Sequence, residues 1–131
     1  MAQDFDKARG VIAKFLQSIQ SPATSIQLAQ STLEMATAVI RLRRDNTPLE
    51  IFQSLKNVYA LLNTERFLDF VISNAVLRVL HIMRILKLPE THKKGKQKII
   101  NSVLSEIDEV SQELQYCYEN ISDQAKDYIT Q

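Results

Sequence analysis

Two glycines and three prolines are all the backbone punctuation in 131 residues. A β-sandwich or barrel needs a turn signal about every 8–12 residues, and this chain does not carry them. Leu, Ile, Gln, Ala, Ser and Glu dominate instead, and most of these suit helices. The scarcity of breakers therefore restricts the chain to long helices with few connections. At this length about two-thirds of the unfolded surface can be buried, so a single domain over residues 1–131 needs no disulfide or metal staple.

Apolar periodicity divides the chain into about five helices. The first spans about Asp4 to Ile19, with Phe5, Ala8, Ile12, Phe15, Leu16 and Ile19 at three-and-four spacing. Ser21-Pro22 reads as the start of the second, with serine as N-cap and proline at the first helical position. Its stripe is Ile26, Ala29, Leu33, Ala36, Val39 and Ile40, and it closes near Arg41, Arg43 and Arg44, where cations suit the helix dipole. Asp45-Asn46 is a turn, and Thr47-Pro48-Leu49-Glu50 reads as a capping box that opens the third helix. Ile51, Phe52, Leu55, Tyr59 and Leu62 form its inward face, which fades at Asn63-Thr64-Glu65.

The fourth helix, about Glu65 to Lys87, is apolar on most of its circumference and is expected in the middle of the bundle. Its narrow polar stripe is Asn74, Arg78, His81 and Arg84. Leu88 to Lys98 is the main loop, with Pro89, Gly95 and the cluster Lys93, Lys94, Lys96 and Lys98. A long last helix, about Gln97 to Ile129, carries a heptad-like seam of Ile100, Val103, Ile107, Val110, Leu114, Cys117 and Ile121. The expected fold is all-α, a compact helical bundle whose long C-terminal helix leads out of it.

Little here suggests chemistry. Two isolated glycines make no phosphate-cradling loop, and His81, His92 and Cys117 lack metal-ligand spacing, so neither metal nor cofactor is implied. His81 reads as a hydrogen-bonded core or interface histidine rather than a catalytic base. Formal net charge is +1, which gives no global signal for nucleic acid or membrane. The lysine cluster reads as a mobile solvated loop, since no aromatic residue is interleaved for base stacking. Tyr116, Tyr118 and Tyr128 read as packing residues. No apolar run reaches the roughly 18 residues that span a bilayer. A single cysteine and a polar, acidic N-terminus suit a reducing, cytoplasmic setting, in which the sequon Asn120-Ile121-Ser122 is a chance match.

Two polar faces remain. The stripe Asn74-Arg78-His81-Arg84 is either a solvated face or a seam that meets a partner. From Ile99 onward the last helix holds seven carboxylates (Glu106, Asp108, Glu109, Glu113, Glu119, Asp123 and Asp127) against Lys126. Glu109 and Glu113, four apart, repel each other, and a basic partner would relieve that repulsion.

Three segments in order carry a family resemblance. Asn74-Ala75-Val76-Leu77-Arg78-Val79-Leu80-His81-Ile82-Met83-Arg84 resembles an "N-x-V-x-R-V-L-x-I-I-R" helix. Ile99 to Val110 resembles the start of a long connecting helix, and Tyr118 to Ile129 resembles its end, "M-E-N-I-A-x-Q-A-x-x-x-I". Thr32-Leu33 and the region from Arg43-Arg44 to Glu50 fall at compatible spacing. The family is that of the alpha, beta and delta regulatory subunits of eukaryotic translation initiation factor 2B, and the beta subunit's N-terminal helical domain is the nearest pattern.

That resemblance implies a non-enzymatic domain, normally followed by a Rossmann-like domain that this chain does not include. It implies a role in the guanine-nucleotide exchange factor for initiation factor 2, with catalysis in other subunits. The implied partners are the alpha subunit of initiation factor 2, whose serine phosphorylation is sensed, and the other subunits of initiation factor 2B. By position, Glu109 matches a partner-facing acidic residue of the family. Ser102, where the family pattern has asparagine, and Glu106 lie on adjoining faces of the same helix. Three other readings stand beside this one: the helical domain of a related sugar-phosphate isomerase, an unrelated helical adaptor, and RNA binding through the lysine loop.

Overall fold

The computed structural model describes residues 2–19, 24–64, 70–91 and 93–130. Five helices form a bundle: α1 (Ala2–Ser18), α2 (Ser25–Leu42), α3 (Pro48–Thr64), α4 (Phe70–Ile85) and α5 (Lys96–Thr130). No strand occurs among the described residues. Two 3-10 turns, Leu88–Glu90 and Lys93–Gly95, join α4 to α5.

Local chemistry sets the boundaries. At the start of α2, the Gln27 backbone N–H donates to Thr24 Oγ1 and the Thr24 N–H donates to Gln27 Oε1, each at 3.1 Å. That reciprocal pair satisfies two amides which helix geometry leaves unpaired. The cap is thus Thr24; Ser21 and Pro22, read from the sequence as the helix start, lie outside the described residues. The α3 cap falls where the sequence puts it. Glu50 N–H donates to Thr47 Oγ1 at 3.2 Å, and Pro48 is buried at the first helical position.

The fourth helix ends earlier than its apolar pattern. Lys87 takes a left-handed backbone, with φ 58, and its N–H donates to Arg84 O at 3.0 Å. A β-carbon in that region is strained, which is why helices usually place glycine there. What holds lysine in it is the next residue. Leu88 is fully buried and packs its turn against α3, α4 and α5. The start of the main loop is therefore a fitted plug. Its basic cluster is divided, since Lys96 Nζ donates to Asn46 O at 3.3 Å while Lys94 and Lys98 are exposed.

The core sits where α2 and α4 cross. Ala36, Val39 and Ile40 of α2 and Val76, Val79 and Met83 of α4 are completely buried. Ile12 and Phe15 of α1, Ile51, Leu55 and Leu62 of α3, and Ile100, Val103 and Ile107 of α5 close around them. Arg44 links the α2 end to α5, donating from Nε to Gln97 Oε1 at 3.0 Å.

Two expectations about packing fail. The fourth helix is not enclosed: Phe70 is 82% exposed and Ile85 64%, because its neighbours cover only part of its circumference. The seam of α5 also loses its cover. Among the described seam residues Leu114 is the last packed on the core, and Cys117 is exposed. Tyr116, expected to pack, is 70% exposed. The other helices run 16–18 residues against 35 in α5, so they end before it does.

Candidate partner-binding surface

The first half of α5 is fixed by its buried side, Ile100, Val103 and Ile107. Rotating about the helix from that side brings Ser102, Glu106, Glu109 and Glu113 onto one strip, at spacings of four, three and four. The three glutamates are exposed and Ser102 is half-buried. Ser102 Oγ donates to Lys98 O at 3.0 Å, which leaves its lone pairs as acceptors toward solvent. Glu109 and Glu113 also flank a shallow hollow with Gln112, Tyr116 and Cys117. The sequence-predicted trio Ser102, Glu106 and Glu109 thus stands together on a rigid element.

The α4 stripe is exposed throughout, at Asn74, Arg78, His81 and Arg84, but its members face different neighbours. Asn74 and Arg78 rim an apolar groove of about 320 Å³, floored by Ile26, Leu33, Val71, Ala75, Val110 and Leu114. Arg84 leans the other way, its Cζ lying 5.4 Å from the centre of the Phe52 ring of α3. Such a cation over an aromatic face gains about 0.5–1 kcal/mol at an exposed site. His81 lies between them, exposed to solvent instead of hydrogen-bonded in a core. The stripe therefore crosses the outer face of α4 from the α3 side to the α5 side. It does not join the acidic strip in one pocket.

A second cleft escaped the sequence reading. Glu34, Thr37, Ala38 and Arg41 of α2 face Asn101, Ser105 and Asp108 of α5 across a polar hollow of about 690 Å³. Polar residues at i, i+3 and i+7 on α2 and at i, i+4 and i+7 on α5 are the signal, and it became visible only once the two helices were known to be neighbours. Among the described residues no group of three or more His, Cys, Asp or Glu side chains is placed to hold a metal ion. No helix there is long and apolar enough to cross a membrane. Neither a protein-family model, nor a curated protein, nor a solved structure matches this chain.

Proposed function

We propose that this chain is a regulatory, non-catalytic domain of the guanine-nucleotide exchange factor for translation initiation factor 2. It binds the alpha subunit of that factor in the cytoplasm and responds to its phosphorylation. The three ordered segments of family resemblance suggest the assignment. The observation that carries the surface is the exposed strip Glu106, Glu109 and Glu113 on a helix whose opposite side is locked in the core. A row of carboxylates on a fixed backbone offers a basic partner charge complementarity with no backbone left to order. Regulation then consists of a difference in affinity between two states of the partner.

Titration with the alpha subunit of initiation factor 2, unphosphorylated and phosphorylated, tests this reading. The expected result is saturable binding that differs between the two forms and weakens by about tenfold or more in Glu109→Lys, since like charges then face each other. The same titration is made with the chain assembled with the other subunits of initiation factor 2B. Absence of binding in both settings, or indifference to Glu109→Lys, overturns the assignment.

A further inference from the structure

The outer face of α4 and the described side chains of α5 beyond Leu114 are both exposed, and they differ in charge. On α4, the exposed Phe70, Leu77 and Ile85 alternate with Arg78, His81 and Arg84 within one sector of the helix. This is a mixed face, apolar enough to gain from burial and basic enough to select a partner. On α5, Gln115, Tyr116, Cys117, Glu119 and Asp123 are exposed beyond Leu114. Here the sequence has Glu119, Asp123 and Asp127 against Lys126.

We propose that the outer face of α4 docks the second half of α5 from a second copy of this chain. Three observations select that occupant. The charges are complementary, whereas two α5 segments laid together would repel through their carboxylates. The lengths match. α4 has 16 residues, as does α5 from Gln115 to Thr130, and each spans about 24 Å at 1.5 Å per residue. Both faces also carry large exposed apolar groups, Phe70 and Ile85 on one and Tyr116 on the other.

Made reciprocally about a twofold axis, the contact occurs twice. Four faces, two in each contact and each about 24 Å long and about 10 Å wide, bury about 1,000 Å² in all, the lower bound for a specific interface. A dimer of that size, held by exposed charges, is weak and salt-sensitive. This pairing goes beyond the proposed function and leaves Ser102, Glu106 and Glu109 out of the contact.

Sedimentation equilibrium of the full chain is the test, with helicity checked by circular dichroism. The chain is expected to dimerise in about 0.05 M salt and to dissociate at about 0.5 M, where screening shortens the reach of charge to a few Å. Arg78→Glu with His81→Glu reverses α4, and Glu119→Lys with Asp123→Lys reverses α5. Each double variant alone should be monomeric, and mixing the two should restore a dimer, because each reversed face then meets its opposite. Phe70→Asp, at an exposed position, should lower self-association at least tenfold while leaving helicity unchanged. A chain that stays monomeric at low salt overturns the proposal. So does a dimer indifferent to the reversals, or a mixture of the two variants that remains monomeric. None of these measurements involves an initiation factor, so failure here leaves the proposed function intact, and failure there leaves the dimer intact.

Discussion

Leu88→Ala is expected to lower the unfolding free energy by about 3 kcal/mol, within the range of roughly 2–5 for deleting a buried leucine side chain. The position follows a helix and belongs to a 3-10 turn, where a leucine is usually dispensable. Here the side chain has no exposed surface, and the turn that holds it packs against three helices. The turn that carries it is tied down by its own hydrogen bonds, Thr91 Oγ1 donating to Lys87 O at 2.7 Å and Thr91 N–H to Leu88 O at 3.1 Å. The surroundings therefore cannot collapse into the space that the leucine leaves, and the cavity term adds to the transfer term. Urea unfolding followed by circular dichroism measures the loss. Leu49→Ala, at a site 49% exposed, is the matched control and should cost well under about 1 kcal/mol. Equal losses at both positions would show that the turn is not part of the core.

Ala36→Leu should cost about 2 kcal/mol, for the opposite reason. Ala36 has no exposed surface at the crossing of α2 and α4, where Val76 and Val79 are equally buried. Small side chains at that crossing let two helices approach closely. Extra methylene groups there force the helices apart or push side chains off their rotamers, a cost of about 1–3 kcal/mol. Ala60→Leu adds the same atoms on the exposed side of α3 and should stay within about 0.5 kcal/mol of the parent. If Ala36→Leu were neutral, the α2–α4 contact would hold a void instead of close packing.

Both variants probe parts of the fold that periodicity alone ranks poorly. Spacing found the inward faces well, because three-and-four repeats report which side of a helix is apolar. Leu33, Ala36, Val39 and Ile40 of α2, and Ile51, Phe52, Leu55 and Leu62 of α3, are buried as read. Spacing says nothing about how far a neighbouring helix extends. Cys117 continues the seam of α5 faithfully and is nevertheless exposed, because the helices that cover Ile107 and Val103 stop short of it. Phe70 and Ile85 fail in the same way. An apolar circumference shows that α4 would tolerate burial, and only the number and length of its neighbours decide whether burial happens.

Boundaries and polar groups depended on competition between local options. Ser21-Pro22 and Thr24 are both sound capping chemistry, and Gln27 decides for Thr24 by closing the second hydrogen bond. Ser102, Glu106 and Glu109 were brought together because helical geometry fixes them whatever else the chain does. The split of the α4 stripe could not be foreseen, since Arg84 turns toward Phe52, a residue on a different helix. Lys96 shows the same limit. Its charge is plain in the sequence, but its bond to Asn46 spans a contact between distant elements.

The reach of α5 past its neighbours has a consequence for hydrogen exchange. An isolated helix of about 16 residues is marginal in water, chiefly because its first turn is costly to form. In α5 that turn never has to form unaided, since the segment from Lys96 to Leu114 already supplies the template. Beyond Leu114 the side chains of Tyr116, Cys117, Glu119 and Asp123 are exposed, so the amides there are expected to open without the core. Amides near Val103 and Ile107 open only when the core does. Protection factors along this one helix should fall from the global limit to nearly none within about two turns of Leu114, so that a single unbroken rod behaves as two cooperative units.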